Sequence, residues 1–452
     1  MTVSSIIIIV AAAVALLLLL VLKARINAFI SLLITAVFVG ILAGMPLKEV
    51  TVAIQKGMGD TLGFIAVVVG LGAIFGQILE SSGGAHALAN YLLNKFGQGR
   101  ASWAMMFTGF IVAIPVFFDV GLIILIPIIY ALGRDTGKSL LFYGIPLLAG
   151  LAVAHSFIPP TPGPVAVSEI IGADLGWVIL IGLILGLPSA IIAGPLFGTF
   201  IAGRIKIDPP VAVNGEVGTE TSRSGLPSFW MIFALIVTPL LLIVVSTLTG
   251  ILVRNTILTS SAFTEILVFI GHPFSALIIA TLLAIWLLGI RRGMSRDRIM
   301  SLSTRALGPA GIIILVTGAG GVLKEMLVAS GIGTTLADSL AGRVLSPILL
   351  AWIIAAVVRL TQGSATVAMI TAAGIVAPIL PAFVMSDPHK ALIVIAISSG
   401  ATIASHVNDS GFWLVSKYFG MNEKQTLQSW TVMETIISVC GLVFTILASL
   451  FF

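Results

Sequence analysis

Apolar stretches of bilayer-spanning length follow one another from residue 5 to residue 451, and short polar segments interrupt them at membrane depth. Two of these interruptions stand out: AHSFIPPTPGP (Ala154–Pro164) and SHVNDSGFW (Ser405–Trp413), each with a histidine near its start. In hydrocarbon every backbone N–H and C=O must find a partner, so unwound chain is tolerated there only if buried in protein or lining a water-filled cavity. The chain must therefore be a polytopic helical protein that wraps protein around two broken helices. Such a matched pair of breaks, one per half of a chain, is the sequence mark of a transporter's binding region.

Composition supports this class. Only 9% of the 452 residues are charged and 58% are hydrophobic, against about 25% charged in soluble domains. The net charge of +5 sits in short basic loops, which points to membrane topology and not to nucleic-acid binding. The single cysteine, Cys440, lies in an apolar run and excludes an intrachain disulfide or a Cys-based metal centre. Ile6–Leu22 has no basic segment before it and is followed by Lys23 and Arg25. It reads as a first transmembrane helix with its N-terminus outside, not as a signal peptide.

With roughly 20 apolar residues needed per crossing, spans are expected at 5–22, 26–44, 61–80, 139–158, 176–202, 228–250, 273–290, 306–328, 390–405 and 428–451. Two longer stretches, 101–131 and 346–382, are interrupted at Pro115–Gly121 and at Arg359–Ser364. If 101–131 is a hairpin that enters and leaves on one side, the basic residues Lys95, Arg100, Arg134, Lys138, Arg204, Lys206, Arg223, Arg291, Arg292, Arg296 and Arg298 all fall inside. Lys48 and Lys56 fall outside, against the pattern, and Pro159–Asp174 forms an uncharged-to-acidic outer loop. The organisation expected is an N-terminal half (1–203), a flexible cytoplasmic linker (204–227) rich in Pro, Gly, Ser and Thr, and a C-terminal half (228–452).

The halves share a repeat. Gly70–Leu92 aligns without gaps on Gly318–Leu340, with 8 of 23 positions identical. Each copy is followed by an interrupted stretch, a further span and a His-containing break. The charge-based orientation runs the two copies in opposite directions, so the fold class expected is all-α, with two inverted repeats, re-entrant hairpins and discontinuous helices.

Candidate site residues cluster at the interruptions. Asp119, in IPVFFDVG, is an acid in a very apolar segment, a placement that costs at least ~2.5–3.5 kcal/mol on insertion scales. It is a proton carrier, a substrate contact or a structural salt-bridge or capping residue. His155 and His406 hold corresponding places at the two breaks and either titrate during transport or donate to carbonyls freed by the break. Asn408 suits hydroxyl recognition, and Asp409 either takes a proton or caps the next half-helix. The prolines around Thr161 and Gly163 predict an extended loop, from Pro159 to Pro164, whose backbone faces a cavity. Arg359 is placed to grip a carboxylate, to pair with Asp119 or to reach for the interface. The turn Gln362–Gly363–Ser364, with Thr366 beyond it, exposes N–H groups at a half-helix N-terminus and favours an anion. Glu434, inside the last span, reads as a packed, hydrogen-bonded acid. Two histidines make no tetrahedral metal site, and GxSxG, HExxH and paired-aspartate patterns of enzymes are absent.

Six segments together resemble the gluconate permease family, the gluconate:H+ symporters of bacterial inner membranes, over essentially the whole chain. They are Gly57–Gly76, Ile114–Gly121, His155–Pro164, Gly318–Gly331, Gln362–Ala368 and Ser405–Trp413. The resemblance implies a re-entrant-hairpin architecture with elevator-like motion, often as a homodimer. It also implies a proton gradient as energy source with no cofactor, and a sugar acid such as gluconate as substrate; other small carboxylates or D-serine are alternatives. A passive anion channel is a rival of a different class. Of the two breaks, the proline-rich one is expected to discriminate substrate shape, and His406–Asn408–Asp409 to supply proton or hydroxyl chemistry.

Overall fold

The structure, a computed structural model, describes residues 3–210, 225–332, 346–383 and 385–452. Most of the expected linker (211–224) and the end of the second repeat copy (333–340) lie outside the described residues. Among the described residues the protein is helical throughout, without strands, and seven helices are long and apolar enough to cross a membrane.

The first half comprises α1 (Val3–Leu18), α2 (Ala28–Leu42), α3 (Leu47–Ser81), α4 (Gly84–Phe96), α5 (Ala101–Val112), α6 (Phe118–Thr136), α7 (Leu141–Phe157), α8 (Pro162–Ile171), α9 (Leu175–Ile191) and α10 (Phe197–Ala202). The second comprises α11 (Phe229–Arg254), α12 (Ala262–Gly271), α13 (Pro273–Ala284), α14 (Arg296–Ala329), α15 (Pro347–Gln362), α16 (Ala365–Val376), α17 (Asp387–Gly400), α18 (Ser410–Phe419), α19 (Glu423–Thr426) and α20 (Val432–Ala448). A wide turn at Ile192–Leu196 joins α9 to α10, and another at Leu427–Thr431 joins α19 to α20.

Helix ends follow local chemistry. Asn27, Asp174, Ser261, Ser295, Ser386 and Asn422 each accept a backbone N–H at the start of the helix they precede. Left-handed glycines end others, as at Gly137, Gly172 and Gly420. The helices α3 and α14 are longer than the spans expected from hydropathy, because their polar first turns continue the helix beyond the apolar run.

These two long helices, which carry the repeat, pack along each other. A Cβ on Gly57 would stand 2.7 Å from the Val322 Cα, so the backbones approach at a distance only glycine permits there. Since α2 and α3 of the first half pack on α14 of the second, the halves interlock. The most deeply buried helices are α7 and α17, both immediately before a break, with α8 and α16 packed beside them.

The interruptions are narrower than expected. The first hairpin breaks only at Ala113–Phe117, which puts Asp119 in the first turn of α6. The second breaks only at Gly363–Ser364, with Arg359 inside α15. The expected extended loop at Pro159–Pro164 is corrected: Pro162, Gly163 and Pro164 form the first turn of α8. Proline is tolerated there because its missing N–H has no intrahelical acceptor in a first turn. The outer loop expected at Pro159–Asp174 is mostly this helix. The span expected at 390–405 ends at Gly400, before the turns that lead to Asp409.

Candidate functional site

A cavity of about 390 Å³ opens among the broken helices. Three helix N-termini border it: Phe118–Val120 of α6, Ser364–Thr366 at α16 and Asp409–Gly411 at α18. The first N–H groups of a helix lack intrahelical acceptors and carry the positive end of its dipole. At α16 the Ser364 hydroxyl accepts the Val367 N–H at 3.4 Å, and Ala365 and Thr366 line the cavity. At α18 the Asp409 Oδ1 accepts the Gly411 N–H at 3.0 Å.

One arginine stands among these ends. Arg359 Nη2 donates to Asp409 Oδ2 at 2.5 Å, with the two side chains 3% and 12% exposed. Its Nη1 donates to the Gly363 carbonyl, bracing the turn between α15 and α16. The second carboxylate contact comes from Ser405, whose hydroxyl donates to Asp409 Oδ2 at 2.5 Å and receives the Trp430 Nε1–H at 2.7 Å. Of the alternatives weighed for Arg359, the structure thus realises an ion pair, with Asp409 and not with Asp119. The Arg359 Nε is buried without a hydrogen-bond partner.

Two further acids face the cavity, Asp119 from α6 and Glu434 from α20. His155 of α7 also lines it, with its ring 6.2 Å from that of Phe117 and its Nδ1 buried without a hydrogen-bond partner. Phe118 and Trp430, with ring centroids 5.4 Å apart, supply an apolar wall.

Six of the candidates from sequence thus share one cavity: Asp119, His155, Arg359, Ser364, Thr366 and Asp409. The other six take different places. The Thr161 hydroxyl donates to the Ile158 carbonyl at 2.6 Å and borders a separate small void beside His155. Gly163 lets α8 close on α16, where an added Cβ would stand 2.7 Å from the Met369 Sδ. His406 Nε2 lies 3.1 Å from the Leu360 carbonyl, and Asn408 Nδ2 donates to that carbonyl at 3.0 Å. Both therefore bind the C-terminal end of α15. Gly363 takes a left-handed conformation at that end, and the Gln362 amide is buried with neither polar atom hydrogen-bonded.

Sequence reasoning passed over Trp430 and set Glu434 aside as a packed, hydrogen-bonded acid. That reading of Glu434 is corrected: the side chain lines the cavity, and among the described residues it makes no hydrogen bond or ion pair. The available signal was spacing, since residues four apart share a helix face. Among the described residues no cluster of three or more His, Cys, Asp or Glu is placed to hold a metal ion.

Comparison with known proteins gives this geometry a family. The model for GntP family permeases matches residues 5–451. A gluconate permease of Pseudomonas aeruginosa is 42% identical over 428 residues, covering 95% of this chain and 94% of that protein. The low-affinity gluconate transporter of Escherichia coli K12 matches with the same identity and coverage. The Gnt-II system L-idonate transporter of E. coli K12 is 40% identical, covering 92% of this chain and 93% of its own. Among solved structures, the YdaH transporter of Alcanivorax borkumensis shares the fold with a TM-score of 0.59 at 14% identity, covering 88% of each chain. MtrF of Neisseria gonorrhoeae does so with a TM-score of 0.57 at 16% identity, covering 88% of this chain and 83% of its own. Matched over nearly its full length by the family and by close relatives alike, this multi-pass membrane protein belongs to the GntP family of permeases.

Proposed function

We propose that the protein is a secondary active transporter that takes up D-gluconate, or a closely related sugar acid, together with protons across a bacterial inner membrane. The observation that carries this reading is the cavity itself. It brings one arginine and three helix N-termini around a volume suited to a small polyhydroxy acid. The names of the relatives, gluconate permeases and gluconate transporters, supply the substrate class. The substrate carboxylate is proposed to sit at the α16 N-terminus beside Arg359, with hydroxyls read by Ser364, Thr366 and Ser410. Phe118 and Trp430 would then cover the carbon chain.

Proton coupling is supported by charge. Asp119, Asp409 and Glu434 surround a single arginine, so an incoming anion meets uncompensated acid that a proton would relieve. The two halves are read as inverted repeats because a long helix, a broken hairpin, a buried helix, a break and a half-helix recur in the same order. The broken helices, packed around α7 and α17, are the body proposed to move in an elevator-like step, and a homodimer is the proposed assembly. The test is uptake of labelled gluconate into proteoliposomes driven by an imposed pH gradient. Accumulation that collapses with a protonophore is expected; uptake indifferent to the gradient, or no uptake of any sugar acid, would refute the reading. A second substrate, L-idonate, is suggested by the relative named for it and is tested by competition in the same vesicles.

A further inference from the structure

The acids around the cavity are not equivalent. Asp409 is committed on both carboxylate oxygens: Oδ2 to Arg359 and Ser405, Oδ1 to the Gly411 N–H. Asp119, also without a hydrogen-bond or ion-pair partner among the described residues, differs in standing in the first turn of α6, at the positive end of that helix. His406, a candidate proton group by sequence, is engaged at the Leu360 carbonyl and does not line the cavity. His155 is wedged beside Phe117.

Glu434 has none of these compensations. It is 4% exposed and lines the cavity. It is the third residue of α20, but α20 continues without a break from Glu423 through the wider turn at Leu427–Thr431, so no free helix start lies beside it. Among the described residues its carboxylate has no hydrogen-bond or ion-pair partner, although Arg359 and Asp409 lie close enough to act on it electrostatically. The charged or titratable groups that face it from neighbouring elements are therefore Arg359 of α15, Asp409 before α18, Asp119 of α6 and His155 of α7. Of these, the one cation is in direct contact with Asp409 and reaches Glu434 only at longer range.

We propose that Glu434 carries the transported proton. The inference rests on the sugar-acid:H+ symport reading and names the group that performs the coupling. Its balance is simple. A carboxylate substrate brings one negative charge to Arg359 and the α16 N-terminus. One proton joins a Glu434 carboxylate oxygen, and the loaded site gains no net charge. On the inner side substrate departure removes the anion that favoured the proton, and the proton leaves to water. Binding of anion and proton to one cavity are then reciprocally linked.

The experiment compares wild type, Glu434→Gln and Glu434→Asp in proteoliposomes, with two readouts. Gradient-driven accumulation of labelled gluconate reports coupling, and exchange of internal for external gluconate at equal pH reports translocation without it. Glu434→Gln is expected to lose accumulation at least tenfold while exchange falls much less, and its exchange rate should become insensitive to pH. Glu434→Asp should restore part of the accumulation. Wild-type accumulation in Glu434→Gln overturns the proposal while leaving the symport reading intact. If wild type itself ignores the gradient, the symport reading fails instead. Should Glu434→Gln lose exchange as well, proton uptake on adding gluconate in weak buffer, compared between purified wild type and Glu434→Gln at saturating gluconate, decides: loss of about one proton per gluconate bound in the variant supports the proposal, and equal uptake by both overturns it.

Discussion

The ion pair between Arg359 and Asp409 yields a prediction that can be worked from its geometry. The two groups meet at 2.5 Å and are 3% and 12% exposed, so water screens them little. With charge centres about 4 Å apart and an effective dielectric constant of about 20, their attraction is about 4 kcal/mol. That agrees with the roughly 3–5 kcal/mol lost when one member of a buried pair is removed. Asp409→Asn leaves Arg359 as an uncompensated buried cation. Arg359→Gln leaves Asp409 as an uncompensated anion and also removes the donor to the Gly363 carbonyl. The double variant leaves neither charge unpaired. Unfolding of purified protein in mixed micelles, followed by tryptophan fluorescence, should show each single variant destabilised by several kcal/mol. The double variant should be less destabilised than the sum by about 2–3 kcal/mol. Its gluconate uptake should remain lost, because the proposed carboxylate contact is gone. Additivity within about 0.5 kcal/mol would show that the two groups do not act as a pair.

Gly363→Ala should destabilise by roughly 2–5 kcal/mol, because its φ of +77° is costly for any residue with a Cβ and that Cβ would run into the Asn408 carbonyl; unchanged stability in the same unfolding assay would contradict the packing of the α15–α16 turn on the second break. Asn408→Ala should cost only about 0.5–1.5 kcal/mol, since it frees the Leu360 carbonyl near solvent, and should leave the KM for gluconate within about twofold. A tenfold rise in KM, equivalent to about 1.4 kcal/mol, would return Asn408 to the substrate.

Much of the helical plan was legible because hydropathy and backbone satisfaction in lipid dictate it. The apolar runs located the crossing helices, and the interruptions located the breaks. The long polar first turns of α3 and α14 were not legible, because residues such as Lys48, Glu49, Arg296 and Asp297 carry no hydropathic signal and are held by helix continuity. The proline-rich break was read as too long, since proline both breaks a helix and begins one, and Pro162 begins α8. Within the site, acids and arginine at the breaks were found because a charge in a membrane stands out. Trp430 was passed over and Glu434 read as a packed acid because the last span has no break to mark it, and their common face becomes visible only when α18 and α6 close around it.

The two breaks divide labour differently from the expectation of shape reading at one and proton chemistry at the other. Neither unwound loop supplies most of the cavity wall. The loops tie helices together: Thr161 closes on Ile158, while His406 and Asn408 hold the end of α15. The starts of α6, α16 and α18 line the cavity together with side chains of α7, α14, α15 and α20, while α8, which restarts after the proline-rich break, does not reach it. The starts of α16 and α18 are tied to the end of α15 by Arg359, His406 and Asn408, so that part of the site keeps its geometry if these helices move together. Rigid translation of the broken helices would then carry Arg359 and Asp409 together. If instead each loop rearranged on its own, the Arg359–Asp409 pair would have to break in every cycle, and the strong coupling expected between those two residues would oppose turnover.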